Sequence, residues 1–195
     1  MPETSQRISE FRVVDERETG YNIEAVDQFF TDLANDYERL RSDGSHAGIT
    51  TARAIRQSTF QPQKGGYAVA DVDAALSRVE DRFAAIERRS FIAEHGREAW
   101  SEHVEQIAEL LMGRLRREDG ERFRRPAHRL TKGYLTEDVD ALCNRLMREF
   151  KTSDNLSADV VRGAVFRSAT GSRCYEETQV DAFLDKCIEL IHDLK

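Results

Sequence analysis

The strongest constraint on the fold is internal repetition. Four of the five tyrosines are followed, five residues on, by Val-Asp. The segments are Gly20-Tyr21 with Val26-Asp27, Gly66-Tyr67 with Val72-Asp73, Gly133-Tyr134 with Val139-Asp140, and Cys174-Tyr175 with Val180-Asp181. Only one other Val-Asp exists, Val14-Asp15, so chance does not explain the spacing. Self-similarity of this kind marks one small supersecondary unit copied along the chain, each copy too small to bury its own apolar face.

Each signature occupies the same place in a longer pattern. A phenylalanine (Phe11, Phe60, Phe123, Phe166) precedes the tyrosine by seven to eleven residues. An amphipathic stretch follows. In copy one Ile23, Val26, Phe30, Leu33, Tyr37 and Leu40 recur in steps of 3, 4, 3, 4, 3, and Val69, Val72, Leu76, Val79, Phe83 and Ile86 repeat those steps in copy two. Val139, Cys143, Leu146 and Phe150 continue the pattern in copy three, and Val180, Leu184, Cys187, Ile191 and Leu194 in copy four. Steps averaging about 3.5 place these side chains on one helical stripe, the seam of coiled-coil packing.

The start of each helix is legible too. Glycine before tyrosine permits a sharp or left-handed turn. Asn22 suits an N-cap, and Glu24, Glu137 and Glu177 put negative charge in a first turn, where the helix dipole favours it. The motif aspartate has two readings, a solvated helix residue or an acceptor bonded back to the preceding loop. Ser42–Gly48 and Thr152–Asn155 read as linkers. Between copies two and three, Trp100, Val104, Ile107, Leu111 and Leu115 form a further stripe, an added helix that either continues copy two or folds back near His95-Gly96, with Trp100 as its core anchor.

Composition narrows the class. At 39% hydrophobic and 33% charged residues, with 3 Pro and 11 Gly, the chain is neither disordered nor turn-rich β. It shows no apolar run long enough to span a membrane, and Met1–Glu10 lacks a signal-like apolar core. Three cysteines without CxxC spacing predict neither a disulfide framework nor a zinc site. Cys143 and Cys187 lie on the stripes as small buried residues, and Cys174 is the more exposed. The expectation is an all-α, cytoplasmic protein: four short loop-helix repeats with heptad-like apolar stripes packed as helical pairs, plus one extra central helix. The divisions are 1–45, 49–90, 91–118 (the connecting helix), 119–151 and 156–195. Copy one is expected against two and three against four, with a homodimer as a further association.

Phenylalanine, a loop, Gly-Tyr, and Val-Asp followed by aromatic or leucine pairs resembles the N-terminal domain of DivIVA. The fourth copy matches best, through Val180-Asp181-Ala182-Phe183-Leu184-Asp185, and the first nearly as well through Val26-Asp27-Gln28-Phe29-Phe30. The resemblance covers most of the chain outside about 91–118 and is closest to actinobacterial proteins carrying several such domains in tandem. It implies a parallel two-stranded coiled coil, a place at cell poles and division septa, and recruitment of protein partners, another DivIVA-like protein among them. The family contacts membrane through an aromatic and an arginine just before Gly-Tyr. Here those positions hold Glu18-Thr19, Lys64-Gly65, Thr131-Lys132 and Ser172-Arg173, so that mechanism does not carry over.

A basic cluster offers an alternative membrane role. Met112 to Lys132 holds eight basic residues against three acidic ones, within a chain of net charge −7. Arg122, Arg124, Arg125, Arg129 and Lys132 are the candidates for anionic-lipid contact, against a bland reading as a solvated helix end or a surface docked on the acidic remainder. Nucleic acid is not expected, because only Phe123 accompanies the arginines as a stacking residue. The five histidines are scattered and no phosphate-binding loop appears, so neither an enzyme, a cofactor nor a metal is expected.

Overall fold

Each motif tyrosine leads directly into a helix while its backbone pairs with a neighbouring copy. The computed structural model describes residues 11–42, 48–152 and 157–195. The chain divides into two compact units, Met1–Glu94 with copies one and two and His95–Lys195 with copies three and four. Met1–Glu10 and most of both linkers, Ser42–Gly48 and Thr152–Asn155, lie outside the described residues.

In chain order the first unit contains β1 (Thr19–Tyr21), α1 (Ile23–Ser42), α2 (Ala52–Arg56), β2 (Pro62–Lys64) and the first arm of α3 (Val69–Leu115). Gly96, at φ 88° and ψ 166°, interrupts α3, and the arm 97–115 belongs to the second unit. That unit continues with β3 (Lys132–Leu135), α4 (Thr136–Thr152), α5 (Ala158–Arg162), β4 (Ser168–Thr170), β5 (Cys174–Tyr175) and α6 (Glu177–Asp193). Among the described residues no helix is long and apolar enough to cross a membrane.

Among the described residues two small antiparallel sheets overturn the expectation of an all-α fold; the chain is instead mainly helical with short strands. In the first unit β1 pairs β2 with Gly20 opposite Gln63, and Tyr21 also bridges to Tyr67. In the second, β3 lies between β4 and β5, with Gly133 opposite Ala169 and Tyr134 opposite Tyr175. The physical reason is backbone accounting: the residues around each tyrosine are non-helical, and their peptide groups need partners. The other copy supplies them.

The helices nevertheless pack as the stripes require. Val26 and Val72 meet beside Tyr67, and further along Leu33, Leu40 and Phe83 form a second cluster with Tyr37, Val79 and Ile86. Equivalent stripe positions therefore face each other, as in the Tyr37–Phe83 ring contact at 6.2 Å, so α1 and the first arm of α3 run parallel and in register. The second unit repeats the arrangement with α4 and α6, through Val139, Cys143, Leu146, Val180, Cys187 and Ile191. Ile107, Leu111 and Leu115 of the arm 97–115 add a third layer to that core. Trp100 is only partly buried, so these three residues, and not the tryptophan, anchor the added helix.

Two five-residue helices complete the units. Thr51 caps α2 through Ala54 N–H at 3.1 Å, and Ser157 caps α5 through Asp159 N–H at 3.2 Å. Ala52 and Ile55 of α2 are buried against α1 and α3, while Ala158 and Val161 of α5 join the second core. A buried ion pair, Arg56 to Glu80 at 2.7 Å, fastens α2 to α3.

Candidate functional site

The repeat residues converge on four clasps, each built from two copies. The Tyr67 hydroxyl donates to Asp27 at 3.0 Å, and that of Tyr175 to Asp140 at 3.0 Å. Reciprocally, Tyr21 lies by Asp73 and Tyr134 by Asp181, close enough for each carboxylate to add to burial in raising the phenol it faces. Each motif aspartate thus faces the tyrosine of its sister copy, and Asp27 and Asp140 accept its hydroxyl proton. Of the two sequence readings, acceptor for the preceding loop holds for Asp140, which Gly120 N–H and Arg122 also reach, while Asp73 and Asp181 remain solvent-exposed.

The phenylalanines follow the same exchange. Phe11 packs on Tyr67 at 5.3 Å between ring centroids, Phe60 on Tyr21 at 5.3 Å, Phe123 on Tyr175 at 5.2 Å and Phe166 on Tyr134 at 5.0 Å. Such tilted or edge-on pairs add about 0.5–1.5 kcal/mol each beyond the area they bury. The backbone closes the clasp. The N–H after each tyrosine donates to the carbonyl after the sister's phenylalanine: Asn22 to Gln61 (2.9 Å), Ala68 to Arg12 (2.8 Å), Leu135 to Arg167 (2.8 Å) and Glu176 to Arg124 (3.0 Å).

The motif glycines serve this closeness. Gly20, Gly66 and Gly133 have no positive φ, so of the sharp or left-handed turn that glycine permits, the left-handed one is not used. A Cβ on Gly20 would fall on the Tyr67 carbonyl oxygen, on Gly66 on that of Tyr21, and on Gly133 on that of Tyr175, far inside van der Waals contact. Copy four replaces the glycine with Cys174, which is fully buried and not the exposed thiol expected; its sulfur lies 3.5 Å from the Gly171 carbonyl oxygen.

One clasp carries an added charge. Arg122 is 2% exposed and spends its donors on Asp140 Oδ1 (2.9 Å), Asn144 Oδ1 (2.6 Å) and the Leu115 carbonyl (3.3 Å), with Asp119 alongside at 2.8 Å. Asp140 also accepts from Gly120 N–H at 2.7 Å. Burial, with the Asp140 carboxylate beside it, pushes the Tyr175 phenol up to about 12. Burial likewise raises the phenols of Tyr21 and Tyr134, and the carboxyls of Asp73 and Asp181 that face them.

The proposed lipid-contacting set is therefore reduced. Arg122 is withdrawn from it, because a buried guanidinium saturated by carboxylate, amide and carbonyl oxygens cannot reach a membrane surface. Arg124 pairs with Glu176, and Arg125 lies over the Tyr175 ring at 4.9 Å while donating to Gly120 O at 2.7 Å. Arg129 and Lys132 stand exposed. Among the described residues, His103, Glu189 and Asp193 have a metal-ligand composition with ligand atoms within 4.8 Å, but the Lys186 ammonium bonds Glu189 at 2.6 Å and already supplies a cation there.

Sequence reasoning missed the exchange of partners, the buried role of Arg122, and the short helices before copies two and four. The last had a signal: Ala52-x-x-Ile55-Arg56 and Ala158-x-x-Val161-Arg162 each end four residues before a phenylalanine. No family model, curated protein or solved structure matches the chain.

Proposed function

We propose that this chain is a non-enzymatic scaffold or adaptor of the DivIVA type, serving bacterial cell division or polar growth through helix–helix protein interactions in the cytoplasm. The observation that carries the reading is the parallel, in-register helix pair of the first unit, marked by Tyr37 against Phe83, with the matching stripes of α4 and α6 sharing the second core. The DivIVA resemblance implies a parallel coiled coil between two chains; here two copies within one chain make the equivalent pair. The clasps hold the helix starts together, so the outward faces of the pairs are rigid surfaces on which further helices can assemble.

Mixed with a DivIVA-like protein and passed through size-exclusion chromatography with light scattering, the chain is expected to co-elute with it. A fluorescent fusion in a polar-growing bacterium is expected to concentrate at poles or septa. Separate elution together with uniform fluorescence would overturn the reading.

A further inference from the structure

The two units differ in one groove, and the difference points to a missing helix. In the first unit α1 and the first arm of α3 leave a groove of about 290 Å³, lined by Phe30, Leu33, Ala34, Tyr37, Val79 and Phe83, with Arg82 on its rim. Matching the Val-Asp motifs makes Cys143, Met147, Cys187 and Leu190 the second unit's counterparts of Phe30, Ala34, Val79 and Arg82. There, Cys143 and Cys187 are fully buried and Leu190 is 2% exposed, whereas Ala34 and Arg82 are exposed and Phe30 and Val79 only partly covered.

The covering element in the second unit is the arm 97–115. His103 lies by Glu189 and Asp193, Leu111 lies by Phe183 and Lys186, and Ile107, Leu111 and Leu115 enter the core. The arm therefore runs antiparallel to α6, which puts Val104 level with Leu190. We propose that the first unit's groove binds one amphipathic helix from a partner protein, seated as the arm 97–115 is seated in its sister groove. Apolar residues at four-residue spacing fill the cleft, and an acidic residue takes the place of Val104. The acidic residue follows from charge: Arg82 stands where the sister groove has Leu190, and Arg78 where it has Lys186. A carboxylate opposite Arg82 makes a partly desolvated charge pair that selects this helix against a purely apolar one.

This inference rests on the helix-binding role proposed above. Its test uses purified components, so a failed titration overturns the groove while co-elution with a DivIVA-like protein remains a separate result. The probe is a fluorescent peptide of residues 97–115 carrying Val104→Glu, titrated with the full chain by anisotropy. Saturable binding is expected, weakened about tenfold or more by Ala34→Glu, which crowds an exposed groove position, and by Arg82→Glu. A peptide with Val104→Arg should restore binding to the Arg82→Glu chain. Absence of saturation with the Val104→Glu peptide, indifference to Ala34→Glu, or no charge-swap rescue would overturn the proposal. So would a dimer in light scattering that Ala34→Glu dissociates, since it gives the groove to a second copy.

Discussion

The hydroxyl of Tyr175 donates to both carboxylate oxygens of Asp140, at 3.0 and 3.1 Å, although the two residues belong to different copies of the repeat. Tyr175→Phe keeps the ring on Phe123 but leaves a buried carboxylate short of one donor. The expected loss is about 1–3 kcal/mol in urea denaturation. Tyr175→Ala also opens a cavity and should cost about 3–5 kcal/mol, while Tyr21→Ala should weaken the first unit. Unchanged midpoints would contradict the clasp.

Arg122 makes the second unit's clasp sensitive to charge balance. Arg122→Met strips Asp140 of its buried counter-ion and is expected to destabilise by about 3–5 kcal/mol. Adding Asp140→Asn removes the uncompensated charge and should recover much of that loss. The four-way comparison of wild type, both single variants and the double variant measures the coupling.

Glycine substitutions separate close approach from helix propensity. Gly133→Ala drives a methyl into the Tyr175 carbonyl and should strongly destabilise or unfold the second unit, with Gly20→Ala and Gly66→Ala doing the same to the first. Gly113 is helical, exposed and has open space around it, so Gly113→Ala should stabilise by up to about 1 kcal/mol. Thermal melts distinguish the two classes.

Alkaline pH tests the buried phenol. In the unfolded chain Tyr175 ionises near 10, while in the fold it does so at about 12. Between those values the native state holds the extra proton, so stability is fully present below pH 10 and falls as pH rises through the window. Tyr21 and Tyr134 shift in the same direction. Urea midpoints from pH 9 to about 12 should decline in wild type, and the decline should be shallower in Tyr175→Phe.

All three thiols are buried. Burial pushes Cys143 up to about 12 and Cys187 well above the ordinary thiol value. A thiolate-seeking reagent at pH 8 should therefore label the folded chain far more slowly than the unfolded one, where all three should react. Rapid native labelling would contradict the packing of the stripes.

What the sequence revealed was governed by distance along the chain. Val26, Phe30, Leu33 and Tyr37 announce their helix because their partners in the pattern lie three or four residues away. The strands have no such signature: β1 and β4 are three residues each, too short for alternation to register, and each is held by a strand from another copy. The clasp was half visible. Its members, Phe11, Tyr67 and Asp27 among them, stood out by recurrence, but 40 residues separate Tyr67 from Asp27 and nothing local joins them. Arg122 read as one of many arginines because its burial is imposed by Asp140, Asn144 and Leu115, which fold around it.

Since every motif ring is lodged in its sister, the heritable module is the couple and not the single copy. A copy cut from this chain would carry one ring without a seat and one seat without a ring, and would need a second chain to supply both.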